Sequence, residues 1–125
     1  MTTSTEPVVE VLAAAVAEVS GTERPGQTNM ALAIRDAFDN KRHLLVQAGT
    51  GTGKSLGYLV PAALTSERVV IATATLNLQH QLIEGDVPAL RRALAASKRM
   101  PPKVAVIKGR SNYACLRKVH EGTAE

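Results

Sequence analysis

Three glycines, a lysine and a serine between positions 49 and 55 form the stretch of this 125-residue chain best suited to chemistry. Gly49, Gly51 and Gly53 carry no side chain, so backbone N–H groups there can converge on an anion. Lys54 adds a mobile ammonium group, and Ser55 adds a hydroxyl that can bind Mg²⁺. These residue types in this order predict a loop that binds the phosphates of ATP together with Mg²⁺.

The predicted phosphate loop is an eight-residue match to the pattern Gly-x-x-x-x-Gly-Lys-Ser/Thr, with alanine at the first position. We expect Lys54 to contact the β and γ phosphates and Ser55 to ligate Mg²⁺, which makes these two the candidate catalytic residues. The alternative is a flexible loop with a lysine exposed to solvent. The loop residues are Ala48, Gly49, Thr50, Gly51, Thr52, Gly53, Lys54 and Ser55.

Short apolar runs around the loop predict the elements that hold it. Residues 44–46 precede the loop, and the β-branched runs 68–73 and 103–107 are typical of strands buried in a parallel sheet. A helical pattern follows the loop directly, so strand, helix and strand form a right-handed βαβ unit with its ligand sites beyond the carboxyl ends of the strands. The prediction is an α/β fold of the P-loop NTPase type, a three-layer sandwich with an incomplete parallel sheet.

Helices are also predicted on both sides of this unit. Thr3 and Glu6 can form a capping box for a first helix that ends at Ser20, so residues 1–22 are predicted as an N-terminal helix and 23–125 as the remaining domain. A second amphipathic helix is expected to close at Asn40. Asp86 is expected to cap a later helix, with a proline in its first turn.

Polar residues at two helix starts are further candidates for binding. The Gln27 amide combines a donor and an acceptor and could read the edges of an adenine, although a helix-start glutamine facing water explains it as well. Thr73, Thr75 and Asn77 could bind backbone phosphates of a nucleic acid without reading its sequence. A simple helix cap followed by a polar face is an equally good explanation of these three.

Composition limits the class of protein. The formal net charge of +4 favours a polyanionic partner such as nucleic acid, and 45% hydrophobic content argues against disorder. A single cysteine excludes an internal disulfide, and no apolar run approaches the roughly 20 residues of a membrane span. We therefore expect a soluble cytoplasmic protein with no membrane partner. Aromatic residues make up only 2%, so single-stranded DNA is expected to be held by its phosphates and not by stacking.

Four blocks of this sequence together resemble the XPD/DinG-type superfamily 2 DNA helicases. The block 24–27, whose last residue is Gln27, resembles the adenine-reading element. Residues 47–55 resemble the Walker A motif, and residues 71–79 resemble the DNA-contacting motif Ia. Residues 108–115 resemble the segment that supplies the first of four cysteines holding a 4Fe–4S cluster, here Cys115. The resemblance implies a RecA-like motor domain and an ATP-dependent helicase that unwinds DNA with 5′ to 3′ polarity in repair or replication.

The sequence departs from that family pattern in two ways. Cys115 is the only cysteine, whereas a 4Fe–4S cluster needs about four ligands, so we expect a cluster only in a full-length parent. No Asp-Glu-Ala-His-type Walker B segment and no second motor domain are present. We expect an amino-terminal fragment of a helicase that binds nucleotide weakly and neither hydrolyses ATP nor unwinds DNA alone.

Two other classes of protein stay open. A small P-loop kinase or transferase also uses a Gly-Lys-Ser loop on a βαβ core, although no arginine-rich lid follows the second predicted strand. A non-catalytic module that binds nucleotide or DNA is the other class. A sheet without its Walker B neighbour would also have an open edge and would fold only marginally.

Overall fold

Six α-helices form the structure, a computed structural model that describes residues 6–49 and 53–122. The helices are α1 (Pro7–Glu18), α2 (Pro25–Asp39), α3 (Lys54–Leu64), α4 (Leu76–Gln81), α5 (Val87–Ala96) and α6 (Leu116–Glu121). A π-helical turn, Leu82–Asp86, joins α4 to α5, and a 3₁₀ turn, Arg110–Asn112, precedes α6. No helix in these two ranges is long and apolar enough to cross a lipid bilayer.

The hydrophobic core lies where α1 packs against α3 and α5, and α2 packs against both α3 and α1. Apolar residues recur on α1 every three or four positions, so they share one face, and that face is buried. The π-helical turn contributes Leu82 to the same core. The most fully buried large side chains are Val11, Val60, Pro61 and Leu94.

The predicted parallel sheet is wrong. No β-strand forms in residues 6–49 or 53–122, and the runs 44–46, 68–73 and 103–107 are irregular chain. The side chains of Leu45, Val70 and Ile107 are 99%, 86% and 86% exposed. The incomplete α/β sandwich is therefore replaced by a helical fold whose core lies between helices alone.

These runs do not form a sheet because a β-strand is stable only when it is hydrogen-bonded to a neighbouring strand. β-Branched residues favour an extended backbone, but a ladder of N–H and C=O bonds to a neighbouring chain is what makes a sheet. Here the helices bury their apolar faces against one another. The run from Val69 to Thr73 lies beside α2 and α3, where with Phe38 and Tyr58 it lines an open groove of about 370 Å³.

The helices around the loop follow the sequence pattern closely. The first helix ends two residues before Ser20, the second is closed by Asn40, and the third begins at Lys54. These helix predictions are confirmed. The predicted capping box can be checked only at Glu6, because Thr3 lies outside the described residues. The side chain of Glu6 makes no cap hydrogen bond.

The predicted cap at Asp86 is wrong. Its backbone is helical, at φ −75° and ψ −41°, and its side chain makes no cap hydrogen bond. Pro88 has no N–H for the carbonyl four residues earlier, and its ring would crowd that carbonyl. The chain accommodates the proline by widening into a π-turn, in which the Val87 N–H bonds to the Leu82 carbonyl, so helix continues from α4 into α5.

Candidate nucleotide-binding site

The phosphate loop ends in a sharp change of backbone direction at the start of α3. Gly53 has φ +72°, in the left-handed region that side chains disfavour, and Lys54 is the first residue of the helix. A Cβ atom at Gly53 would lie 2.3 Å from Nε2 of Gln27. Glycine is thus required here both by conformation and by the close approach of α2. Thr50, Gly51 and Thr52 lie outside the described residues.

Lys54 spans the loop. Its Nζ donates a 2.9 Å hydrogen bond to the carbonyl of Ala48, the first residue of the loop, and the side chain is exposed. The ammonium group therefore lies close to Ala48, at which the loop begins. The first N–H groups of α3 have no partner within the helix, and the helix dipole favours an anion at this end. Gly49 lies in the first half of the loop, before these N–H groups along the chain.

Gln27 ties α2 to the loop. It is 5% exposed, and its Nε2 donates a 2.9 Å hydrogen bond to the carbonyl of Gly53. The same carbonyl accepts the first helical N–H of α3, from Gly57, at 3.2 Å. A helix-start glutamine facing water is thereby ruled out, since this side chain is buried. The amide still has a second N–H and its oxygen for further bonds.

Ser55 lies near an acidic side chain that we expected at a helix cap. Asp86, in the π-helical turn, is close enough to Ser55 for the serine to influence the pKa of its carboxyl. Burial raises the pKa of Asp86 above its ordinary value, and Ser55 opposes that rise. A serine hydroxyl is an oxygen ligand of the kind that Mg²⁺ accepts, so a magnesium ligand fits this position at the start of α3.

The three candidate DNA-binding residues lie at the start of α4. The Thr75 hydroxyl accepts the N–H of Leu78 at 3.2 Å and so caps the helix. Thr73 donates its hydroxyl proton to the Thr75 carbonyl at 3.2 Å, and Asn77 is exposed. The capping interpretation of Thr75 is correct, and its own hydroxyl proton is still free to bind a phosphate.

Two polar contacts near this helix were not anticipated. Gln79, considered only as part of a polar helix face, donates to the Ile107 carbonyl at 3.0 Å and links α4 to the chain before α6. The Tyr113 hydroxyl accepts the Lys108 N–H at 2.8 Å and closes the segment 108–113 into a compact turn. Neither contact has a local sequence signal, because each joins positions whose spacing reflects no helix or strand period.

Among the described residues, Cys115 forms no metal site with other side chains. It is exposed and immediately precedes α6. In the described ranges, no group of three or more His, Cys, Asp or Glu side chains could hold a metal ion. One thiolate does not fit a 4Fe–4S cluster, which needs about four ligands.

The structure thus brings together Gln27, Ala48, Gly53, Lys54 and Ser55 around one loop, and adds Asp86, which sequence reasoning assigned to a helix cap. Ser55 and Asp86 are 31 positions apart, so no local pattern could reveal their proximity. The local sequence shows only an aspartate followed by valine and proline, a pattern that predicts a helix cap. Together these groups place a cation and a hydroxyl at the N-terminus of α3.

Comparison with known proteins gives a consistent result. The chain is 51% identical over 117 residues to ATP-dependent helicase DinG of Mycobacterium tuberculosis (strain ATCC 25177 / H37Ra), a match that covers 90% of this chain and 18% of that protein. It is 41% identical over 102 residues to ATP-dependent DNA helicase YoaA of Haemophilus influenzae, covering 82% and 15% of the two chains. It is 37% identical over 103 residues to a Bacillus subtilis protein named 3′-5′ exonuclease DinG, covering 79% and 11%.

Neither a protein-family model nor a solved structure matches the chain. The chain spans less than a fifth of the length of these curated relatives. Their similarity nevertheless covers between 79% and 90% of this chain. The chain is thus similar, over most of its own length, to a limited part of DinG-type helicases, which supports its resemblance to that family.

Proposed function

We propose that this chain supplies the nucleotide-binding part of an ATP-dependent DNA helicase, with ATP and Mg²⁺ bound at the phosphate loop. The observation that carries the proposal is the position of Lys54, whose ammonium group reaches across the loop to Ala48 at the N-terminus of α3. A cation fixed beside a helix N-terminus suits an anionic ligand. The helicase names of the relatives support the same ligand and a DNA substrate.

The contacts suggest how the loop would accept a triphosphate. Nζ of Lys54 would exchange the carbonyl of Ala48 for oxygens of the β and γ phosphates, because a charged phosphate oxygen is a stronger acceptor than a neutral carbonyl. Ser55 would ligate Mg²⁺, which neutralises phosphate charge when bound. Gln27, which is bonded to Gly53, would couple the adenine end of the nucleotide to the loop.

Thr73, Thr75 and Asn77 are the proposed contacts to DNA. Hydroxyl and amide groups at a helix start can hold backbone phosphates without reading bases, which suits a single strand of any sequence. The excess of basic side chains acts in the same direction. For such a role we propose that the protein acts in the cytoplasm. Cys115 would serve as one ligand of an iron–sulfur cluster only with other cysteines from a longer helicase.

Hydrolysis of ATP needs acidic groups that binding of ATP does not need. The sequence contains no Asp-Glu pair to hold Mg²⁺ and orient the attacking water, so we propose that this chain binds ATP without useful turnover. A small P-loop kinase is not favoured by any contact of the described residues.

A binding assay tests the nucleotide proposal. Fluorescence anisotropy of a labelled ATP would be measured with the full chain, with Lys54→Ala and with Lys103→Ala, an exposed lysine outside the loop. Loss of a charge-assisted contact to phosphate should weaken binding about tenfold or more in Lys54→Ala, while Lys103→Ala matches the wild-type protein. Equal affinity of all three, with circular dichroism showing intact helices, would rule out the loop as the binding site.

A further inference from the structure

The excess positive charge of this chain lies in one stretch of its sequence. Residues 87–120 contain nine Lys or Arg and no Asp or Glu, whereas the rest of the chain contains six Lys or Arg and eleven Asp or Glu. Of the nine cations, only Arg92 and Arg117 form an ion pair with a described residue. The others are therefore available to a polyanion.

Two of these cations are held on a compact turn, residues 108–113. The Tyr113 hydroxyl accepts the N–H of Lys108 at 2.8 Å, and the Tyr113 N–H bonds to the carbonyl of Arg110 at 3.2 Å. The side chains of Lys108 and Arg110 are exposed. The turn thus presents two cations without a neutralising partner among the described residues, on a backbone that its own hydrogen bonds fix.

Gln79 holds this turn beside the start of α4. Its Nε2 donates a 3.0 Å hydrogen bond to the carbonyl of Ile107, the residue before the turn. The Oε1 atom of the same amide is buried, so the side chain is enclosed and does not move freely in solvent. The backbone N–H of Gln79 bonds to the carbonyl of Thr75 at 3.2 Å, which places the tether about one helical turn from a proposed DNA contact.

We propose that the turn 108–113 binds backbone phosphates of the single-stranded DNA that Thr75 contacts, with Lys108 and Arg110 as the binding groups. The polar side chains at the start of α4 carry no charge, whereas cations supply most of the affinity for a nucleic-acid backbone. Gln79 is a positioning residue, because it joins the turn to α4 without contributing charge. The inference rests on the proposed DNA contact at α4 and extends that surface to a distant part of the sequence.

The salt dependence of DNA binding tests the two cations. Fluorescence anisotropy of a labelled oligothymidine would be measured with the full chain at a series of KCl concentrations. Lys108→Ala and Arg110→Ala should each lower the slope of log K against log salt by about 0.7, the value for one lost phosphate contact on a single strand. Lys103→Ala is the matched control, because Lys103 is an exposed lysine in the same acid-free stretch but outside the turn. It should leave the slope unchanged.

Two variants that keep every charge test the fixed position of the turn. Gln79→Met removes the hydrogen bond to Ile107, and Tyr113→Phe removes the acceptor of the Lys108 N–H. A loosened turn must be ordered on binding, so we expect each variant to weaken DNA binding about threefold. Gln81→Met, at an exposed position in the same helix, should bind as the wild type does. Wild-type affinity of both test variants would overturn the positioning role of Gln79.

The outcomes separate this inference from the proposed function. Equal changes of slope in Lys103→Ala, Lys108→Ala and Arg110→Ala would mean that only total charge matters, and would overturn the inference. Weaker binding in Thr75→Ala with no change in the two turn variants would also overturn it, while the contact at α4 stands. Wild-type protein that binds no oligothymidine would instead remove the proposed DNA contacts together with this inference. Circular dichroism would check that each variant keeps its helices.

Discussion

Nε2 of Gln27 lies 2.9 Å from the carbonyl oxygen of Gly53, so a side chain of α2 fixes the residue at which the phosphate loop turns into α3. Gly53 cannot be replaced there without strain, because its φ is positive and a Cβ atom would meet the Gln27 amide. Loop and helix are thus coupled through one buried hydrogen bond.

Replacing Gln27 by methionine should loosen the loop without opening a cavity. The two side chains have similar length, so the change mainly removes the hydrogen bond to Gly53, whose carbonyl keeps the N–H of Gly57. We expect the free energy of unfolding to fall by about 1 kcal/mol and ATP to bind more weakly. Urea unfolding and nucleotide titration measure the two effects. Gln81→Met, at an exposed position in α4, should change neither.

Gly53 and Gly57 should respond differently to alanine. Gly53→Ala forces a left-handed backbone on a residue with a Cβ and pushes that atom against the Gln27 amide, so we expect a loss of about 1–3 kcal/mol of stability and weaker nucleotide binding. At Gly57 the new Cβ meets only Cε of Met30, the free end of a flexible side chain, and alanine favours helix. Thermal unfolding of both variants compares them. A greater loss from Gly57→Ala would contradict the close fit described for Gly53.

Thr75 offers a way to separate helix capping from DNA binding. Thr75→Ala removes the cap on the Leu78 N–H and should cost about 1 kcal/mol of stability, whereas Thr75→Ser keeps the hydroxyl and the cap. If the hydroxyl also contacts a DNA phosphate, Thr75→Ala weakens binding to single-stranded DNA and Thr75→Ser does not. Asn77→Ala removes a polar group that makes no cap and tests DNA contact alone. Unchanged binding in Thr75→Ala and Asn77→Ala would remove both residues from the proposed DNA site.

Asp86 should lower stability at neutral pH. Burial raises its pKa above the ordinary value of 3.8, so the folded chain holds this proton more tightly than the unfolded chain does. Stability contributed by Asp86 therefore falls as pH rises through the window between the ordinary and the raised pKa. Asp86→Asn has no such charge and should be more stable than wild type at pH 7, with the difference shrinking as pH falls below that window. Chemical unfolding of both proteins across this pH range measures the difference in their free energies of unfolding. A difference that does not change with pH would contradict a raised pKa of Asp86.

The sequence predicted the helix after the loop better than it predicted the sheet. A glycine-rich loop with Lys54 and Ser55 has a fixed spacing, and the periodicity of Leu56, Leu59 and Val60 marks the helix after it, so both are visible locally. The sheet was predicted wrongly because residues such as Val70 and Ile107 show only that a strand is compatible, while pairing depends on a neighbouring chain.

Asp86 shows the same limit at the level of one side chain. An acidic residue two positions before a proline is a common helix start, so the local pattern favoured a cap. The lost N–H of Pro88 instead widened the helix into a π-turn, which packs against α3 and buries Leu82 in the core. Such packing depends on how two helices meet, which no pattern within either helix contains.

The most direct measurement is a ¹H–¹⁵N NMR titration of this 125-residue chain with Mg²⁺–ATP. Binding at the phosphate loop predicts the largest shift changes at the amides of Gly53, Lys54 and Ser55 and at the side-chain amide of Gln27. Saturation with those signals unmoved, or with the largest changes confined to the basic side of α5 around Arg91 and Arg92, would contradict the account.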